Sequence, residues 1–162
     1  MGRTYLVGIA DMKLSAEPGD LIITHALGSC LGITAYDPVA CVGGLLHAML
    51  PLSSLDAEKA ARNPYIFVDC GVEALLNGCL QLGAEKQRLA IKASGGACLR
   101  GSAENDYFQI GRKNFLVLRK LLAKNQMALE AHDVGGNHSR TMWLEIGSGR
   151  VLIRTNRDLA II

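Results

Sequence analysis

Between Leu21 and Leu50 the only formally charged side chain is Asp37. A stretch this long with so little charge has almost nothing to present to water, so it belongs inside a fold. Within it, LIITHAL, LGITAYD and VACVGGLLHAML are rich in β-branched and apolar residues and are punctuated by Gly28, by Asp37-Pro38 and by Pro51. They predict strands at the centre of a sheet, too apolar to have two wet faces. Residues 38 to 55 carry no formal charge at all, but Pro51, the Gly43-Gly44 pair and His47 make a poor membrane span. Buried strand is the better reading, and no membrane insertion is expected.

The remaining chain alternates between the two periods. Residues 52 to 66, with Ser53, Ser54, Asp56, Asn63 and Pro64, predict a loop or a short irregular helical stretch. Apolar residues at 68, 72, 75, 76, 79 and 82 predict a helix from Val68 to Leu82, stopped by Gly83. RLAIKAS reads as a strand running into Gly95-Gly96, and Cys98 to Tyr107 as a polar loop. A second helix is expected from Arg112 to Asn125, burying Phe115, Leu118, Leu121 and Leu122. MALEAHD is strand-like and DVGGNHSR a glycine loop, while TMWLEI and VLIRT flank Gly147-Ser148-Gly149 as a hairpin. The expectation is one α/β domain over residues 1 to 162: a layered sandwich of mixed β-sheet strands with about two helices packed on it.

Seventeen basic against fifteen acidic residues is too balanced for an electrostatic nucleic-acid binder, and 5% aromatic residues leave little for base stacking. Arg112, Lys113, Arg119, Lys120 and Lys124 fall at near-helical spacing, which fits a solvated helix face or a docking surface for an acidic partner. The run YLVGIA is too short for a signal peptide and Asp11 follows it at once, so a cytoplasmic location is expected. Five cysteines, at 30, 41, 70, 79 and 98, are odd in number and lack C-x-x-C or C-x-x-H pairs. That speaks against a disulfide framework and a zinc site, and free thiols in a reducing compartment are expected. Cys79 lies on the apolar stripe of its helix and Cys70 roughly opposite, so those two cannot pair.

One thiol stands out. In THALGSCLG, Thr24 to Gly32, Cys30 follows Ser29 within an apolar run that glycines open on both sides. As packing it is a small core residue; as chemistry it needs a base. Of four histidines, His132 and His138 flank the polar DVGGN loop, and His25 alternates to the sheet face opposite Thr24. His47 sits in LLHAMLP, where a buried imidazole is expensive unless both nitrogens are used. It is either a core histidine satisfied by backbone or a base. If its strand neighbours that of Thr24, His47 can take the Cys30 proton while the Thr24 hydroxyl fixes which imidazole nitrogen is free. Cys30 would then be a thiolate beside an imidazolium, with main-chain N–H groups as oxyanion donors.

The motifs T-x-x-L-G-S-C at Thr24 to Cys30, H-x-M-L-P at His47 to Pro51, S-G-G-A at Ser94 to Ala97, I-G at Ile110-Gly111 and D-x-G-G-N at Asp133 to Asn137 occur in this order. In this the chain resembles the chemoreceptor glutamine deamidases of bacterial chemotaxis, the CheD family. The LGSC and HxMLP pair carries most of the resemblance. The resemblance implies Cys30 as nucleophile, His47 as general base and acid, and Thr24 as the residue orienting His47. It implies hydrolysis of glutamine side-chain amides on chemoreceptor cytoplasmic helices, no cofactor or metal, and a CheC-type phosphatase as a further partner. His25-Ala26 and Lys113 depart from the family pattern without touching those three residues. The glycine motifs read as backbone turns or as substrate-side loops. The rival expectation is a chemotaxis adaptor that binds receptors or such a phosphatase without essential catalysis.

Overall fold

The computed structural model describes residues 1–99 and 108–162. Ten strands and three α-helices are described: β1 (Thr4–Val7), β2 (Asp11–Ser15), β3 (Leu21–Leu27), β4 (Leu31–Asp37), β5 (Val42–Ala48), α1 (Ala57–Arg62), α2 (Val68–Gln81), β6 (Ala90–Gly95), α3 (Ile110–Lys124), β7 (Leu129–Val134), β8 (Arg140–Glu145), β9 (Val151–Thr155) and β10 (Asp158–Ile161). Two mixed five-stranded sheets result, ordered β1-β3-β8-β9-β10 and β2-β5-β4-β6-β7. Among the described strands, only β1–β3 and β6–β7 pair in parallel.

The sheets face each other across one apolar layer: Val7, Ile22, Leu27, Leu45, Met142, Leu144, Val151 and Ile153 form a continuous buried cluster drawn from both. On the other side of the second sheet, α2 and α3 add a third layer, with Val72, Leu75, Cys79, Leu118 and Leu122 packed on Leu31, Ile33, Leu46 and Ile91. Every residue of β4 and β5 is therefore buried. Layers on both sides explain why these strands read as unbroken apolar runs instead of alternating ones.

The layered α/β sandwich agrees with the sequence reading, with three differences. LIITHAL does form a strand, β3, but in the opposite sheet from β4 and β5. The stretch 52–66 is the short irregular helical stretch allowed for, with 3-10 turns at Ser53–Leu55 and Pro64–Ile66 flanking α1, whose first turn is capped by Asp56 accepting from the Lys59 N–H; it raises the helix total from about two to three. β1, β2 and β10 were not foreseen, being short and mostly exposed or half-buried, without a clean alternation. Most of the predicted loop Cys98 to Tyr107 lies outside the described residues. Among the described residues, no helix is long and apolar enough to cross a membrane.

Candidate active site

Thr24 and His47 meet across the sandwich. Thr24 faces inward from β3 and His47 from β5, both fully buried, and Thr24 Oγ1 lies 2.8 Å from His47 Nδ1. Their strands are neighbours face to face, not side by side as the sequence reading had supposed. The Thr24 hydroxyl has one proton, and it donates that proton to the Val7 carbonyl oxygen at 2.8 Å. Its oxygen is then left to accept, so His47 Nδ1 carries the hydrogen of this contact. Nε2 is consequently the bare, basic nitrogen. It is buried and, among the described residues, has no hydrogen-bond partner, unlike a core histidine with both nitrogens satisfied.

Cys30 enters from the β3–β4 connection. His47 is paired directly with Gly32 in the β4–β5 ladder, and Cys30 is two residues before Gly32. It directly precedes β4, just beyond the end of that ladder at Leu31–Ala48. Its half-buried side chain packs against the inter-sheet cluster, the same layer that contains His47. The structure therefore brings Thr24 and His47 into contact, while Cys30 packs on the same inter-sheet layer without a hydrogen bond from its thiol to His47 Nε2.

Three segments hold that loop. Gly96 N–H donates to the Cys30 carbonyl at 2.9 Å and Ala97 N–H to that of Gly28 at 2.8 Å. Gly95 has φ +108°, and any Cβ there would collide with the Cys30 carbonyl oxygen, so glycine serves both the turn and the close approach. The DVGGN loop braces the far side: Gly135 N–H donates to the Gly95 carbonyl, and Arg140 donates to the same oxygen while pairing with Asp133 at 3.2 Å. Finally α3 abuts the SGGA turn at Gly111, where a side chain would strike Gly96. From its first turns Asn114, fully buried, donates Nδ2 to the Ser29 and Met49 carbonyls, both at 3.0 Å. These glycine motifs act as turns and braces around Cys30.

Burial dominates the electrostatics. It lowers the His47 pKa to about 4, opposed by the carboxylate of Asp11, which pairs directly with His47 on β2. It also raises the Cys30 thiol above its ordinary value, opposed by a hydrogen bond from the cysteine's own backbone N–H. At neutral pH the resting pair is thus thiol and neutral imidazole, not the thiolate and imidazolium expected from sequence. The other histidines are exposed, with His25 Nδ1 3.4 Å from Thr141 Oγ1. Cys79 is buried in the helix layer, pushed up to about 12 by burial, while Cys70 is half-buried with its thiol donating to the Pro64 carbonyl. Among the described residues, no group of three or more His, Cys, Asp or Glu is arranged to hold a metal ion.

A family model described as CheD chemotactic sensory transduction matches residues 49–155. A protein of Syntrophus aciditrophicus named probable chemoreceptor glutamine deamidase CheD 1 is 42% identical over 151 residues, 93% of each chain. The chain belongs to the CheD family. A CheD relative from Solibacter usitatus is 43% identical across 93% of this chain and 88% of its own, and one from Thermococcus kodakarensis 40% identical across 91% and 90%. The family-model match begins after Thr24, Cys30 and His47, whereas an alignment of 151 residues is too long to leave that stretch out. The contacts of Asn114 with Ser29 and Met49, and of Asp11 opposite His47, were not foreseen. Asn114 did leave a signal: it precedes Leu118 and Leu122 at intervals of four, a polar residue on the apolar stripe of its helix.

Proposed function

We propose that this chain hydrolyses selected glutamine side-chain amides on the cytoplasmic helices of chemoreceptors to glutamate and ammonia, with Cys30 as nucleophile, His47 as base and acid, and Thr24 orienting His47. The observation that carries the reading is the bond from His47 Nδ1 to a threonine hydroxyl already committed to Val7, which leaves Nε2 buried, unpartnered and basic in the layer that holds Cys30. The names of the relatives supply the substrate class.

The steps balance on these groups alone. Nε2 takes the Cys30 thiol proton as sulfur attacks the amide carbon, and the oxyanion is stabilised by main-chain N–H groups beside Cys30. The same proton passes to the departing nitrogen, which leaves as ammonia, and the carbon–sulfur thioester remains. A water then gives its proton to Nε2 and its oxygen to the carbonyl carbon. The carbon–sulfur bond breaks, and sulfur recovers the proton. The product carboxylate adds a negative charge to a receptor helix and so alters its electrostatics. No step calls on a cofactor. A cytoplasmic site of action and binding of a CheC-type phosphatase belong to the same reading and rest on the family resemblance.

The test is the intact and peptide mass of receptor cytoplasmic fragments after incubation with wild type and Cys30→Ala, with fragment affinity measured by calorimetry. Wild type converts glutamines, and Cys30→Ala binds with unchanged affinity but converts none, because the thiol matters chiefly in the transition state. Full chemotaxis restored to a deletion strain by Cys30→Ala would instead establish an adaptor.

A further inference from the structure

Asn114 ties together two segments that carry different parts of the site. One Nδ2 hydrogen goes to the carbonyl of Ser29, the residue before the nucleophile, and the other to that of Met49, two residues after His47. Both bonds are 3.0 Å long and the side chain is fully buried. Its Oδ1 is buried without a partner among the described residues. A buried amide kept with its acceptor unsatisfied carries a cost, so its retention here points to what the two donors do.

The Ser29 carbonyl shares a planar trans peptide with the Cys30 N–H, and the two point in opposite directions. Gripping the oxygen therefore aims the hydrogen. That N–H belongs to the nucleophile itself and adjoins the carbon that sulfur would attack. α3 itself is held at a fixed depth by Gly111 against the SGGA turn, which is bonded to the Cys30 carbonyl, so the amide is anchored on a rigid element. Resting on the deamidase reading above, we propose that Asn114 is a positioning residue: its amide clamps the Ser29–Cys30 peptide to the end of β5, fixing the distance between nucleophile and base and aiming the Cys30 N–H at the developing oxyanion.

The test compares wild type, Asn114→Leu, Asn114→Asp and, as control at the far end of α3, Asn125→Leu, whose amide serves only the Leu121 carbonyl. Loss of alignment on the ångström scale costs about 100-fold in turnover. Asn114→Leu should lower kcat by about that factor with KM and fragment affinity unchanged, and Asn125→Leu should alter neither. In Asn114→Asp a protonated carboxyl can still donate once, so activity survives at acid pH and falls as the aspartate ionises, a limb wild type lacks. Independently of any substrate, iodoacetamide labelling of Cys30, mapped by mass, should reach its midpoint at higher pH in Asn114→Leu, because the N–H that favours the thiolate is no longer held. Wild type that converts no glutamine would defeat the deamidase reading but not this labelling shift. A folded Asn114→Leu with kcat near wild type and an unshifted midpoint overturns the clamp, as does a loss confined to KM. Should neither variant fold, slow hydrogen exchange at both Asn114 side-chain amide protons in the wild type supports it, and exchange as fast as at exposed Asn137 overturns it.

Discussion

Thr24→Val removes one oxygen while keeping the shape of the side chain, and two buried groups lose their partner. The Val7 carbonyl no longer receives the hydroxyl proton, and His47 Nδ1–H no longer has an acceptor. Each orphaned group costs about 1–3 kcal/mol, and the new methyl returns part of that. A net loss of about 2 kcal/mol lowers the midpoint of thermal unfolding by roughly 4–8 °C for a domain of this size. Catalysis suffers separately. The Thr24 oxygen stabilises imidazolium more than imidazole, since hydrogen bonds to a charged group are worth about 1 kcal/mol more than neutral ones. Losing that difference and the fixed tautomer together lowers kcat by about 10- to 100-fold. Thr24→Ser retains the hydroxyl and should keep turnover within about tenfold. The assay is glutamine conversion on a receptor fragment, paired with ¹⁵N resonances of His47, which should report Nδ1–H and bare Nε2 in the wild type at neutral pH. A folded Thr24→Val with wild-type kcat, or a wild-type His47 protonated on Nε2 alone, would refute the reasoning.

His47→Gln should lower turnover by about 10²- to 10⁴-fold. In the wild type, kcat/KM should hold level through neutral pH and fall as pH drops through about 4, where buried His47 takes a proton. The same group acts on stability with a definite sign: between about 6.5 and about 4 only the unfolded chain protonates His47, so stability declines as pH falls through that window. His47→Gln should flatten that part of the curve measured by thermal unfolding. Asp11→Asn removes the carboxylate that partly supports imidazolium, so the acid limb of kcat/KM should move to still lower pH. Asp37 is fully buried and accepts from Val39, Ala40, Glu85 and Arg88, which holds its carboxyl well below the usual range. Asp37→Asn should destabilise by about 3 kcal/mol by chemical denaturation, and the stability Asp37 provides above pH 4 should be lost as pH falls below that value.

What could be read from the sequence follows from what each element needs of its neighbours. β4 and β5 are buried on both faces, so their identity is written locally in uninterrupted apolar runs. The stripes of α2 and α3 are equally local, because a helix records its buried face in its own period. β1, β2 and β10 depend on partners far along the chain: β1 takes its register from Leu21–Thr24, and β2 from Gly43–His47. Their own residues say little, since packing context decides a half-exposed strand. The same distinction divides the site. Thr24, Cys30 and His47 sit in recognisable motifs, but their grouping across two sheets is a long-range fact. Asn114 and Asp11 sit on a helix and a strand that reach Ser29, Met49 and His47 only in the fold.

The resting protonation state follows from that grouping. A thiol and an imidazole placed between two sheets both lose water, and desolvation works against thiolate and imidazolium alike. Charge separation is therefore deferred until a substrate carbonyl can receive it. The groups that oppose burial come from different strands: a carboxylate on β2 across from His47, a hydroxyl on β3 against its Nδ1, and the amide of Cys30 against its own sulfur. Each favours the charged form of one partner, and none is strong enough to ionise the pair at rest. A free thiolate would react with any electrophile that reached it. On the proposed mechanism, a thiol that ionises only as an amide carbonyl arrives would confine the chemistry to bound substrate, and the same burial that makes His47 a weak base in isolation would make the imidazolium a strong acid toward the departing ammonia.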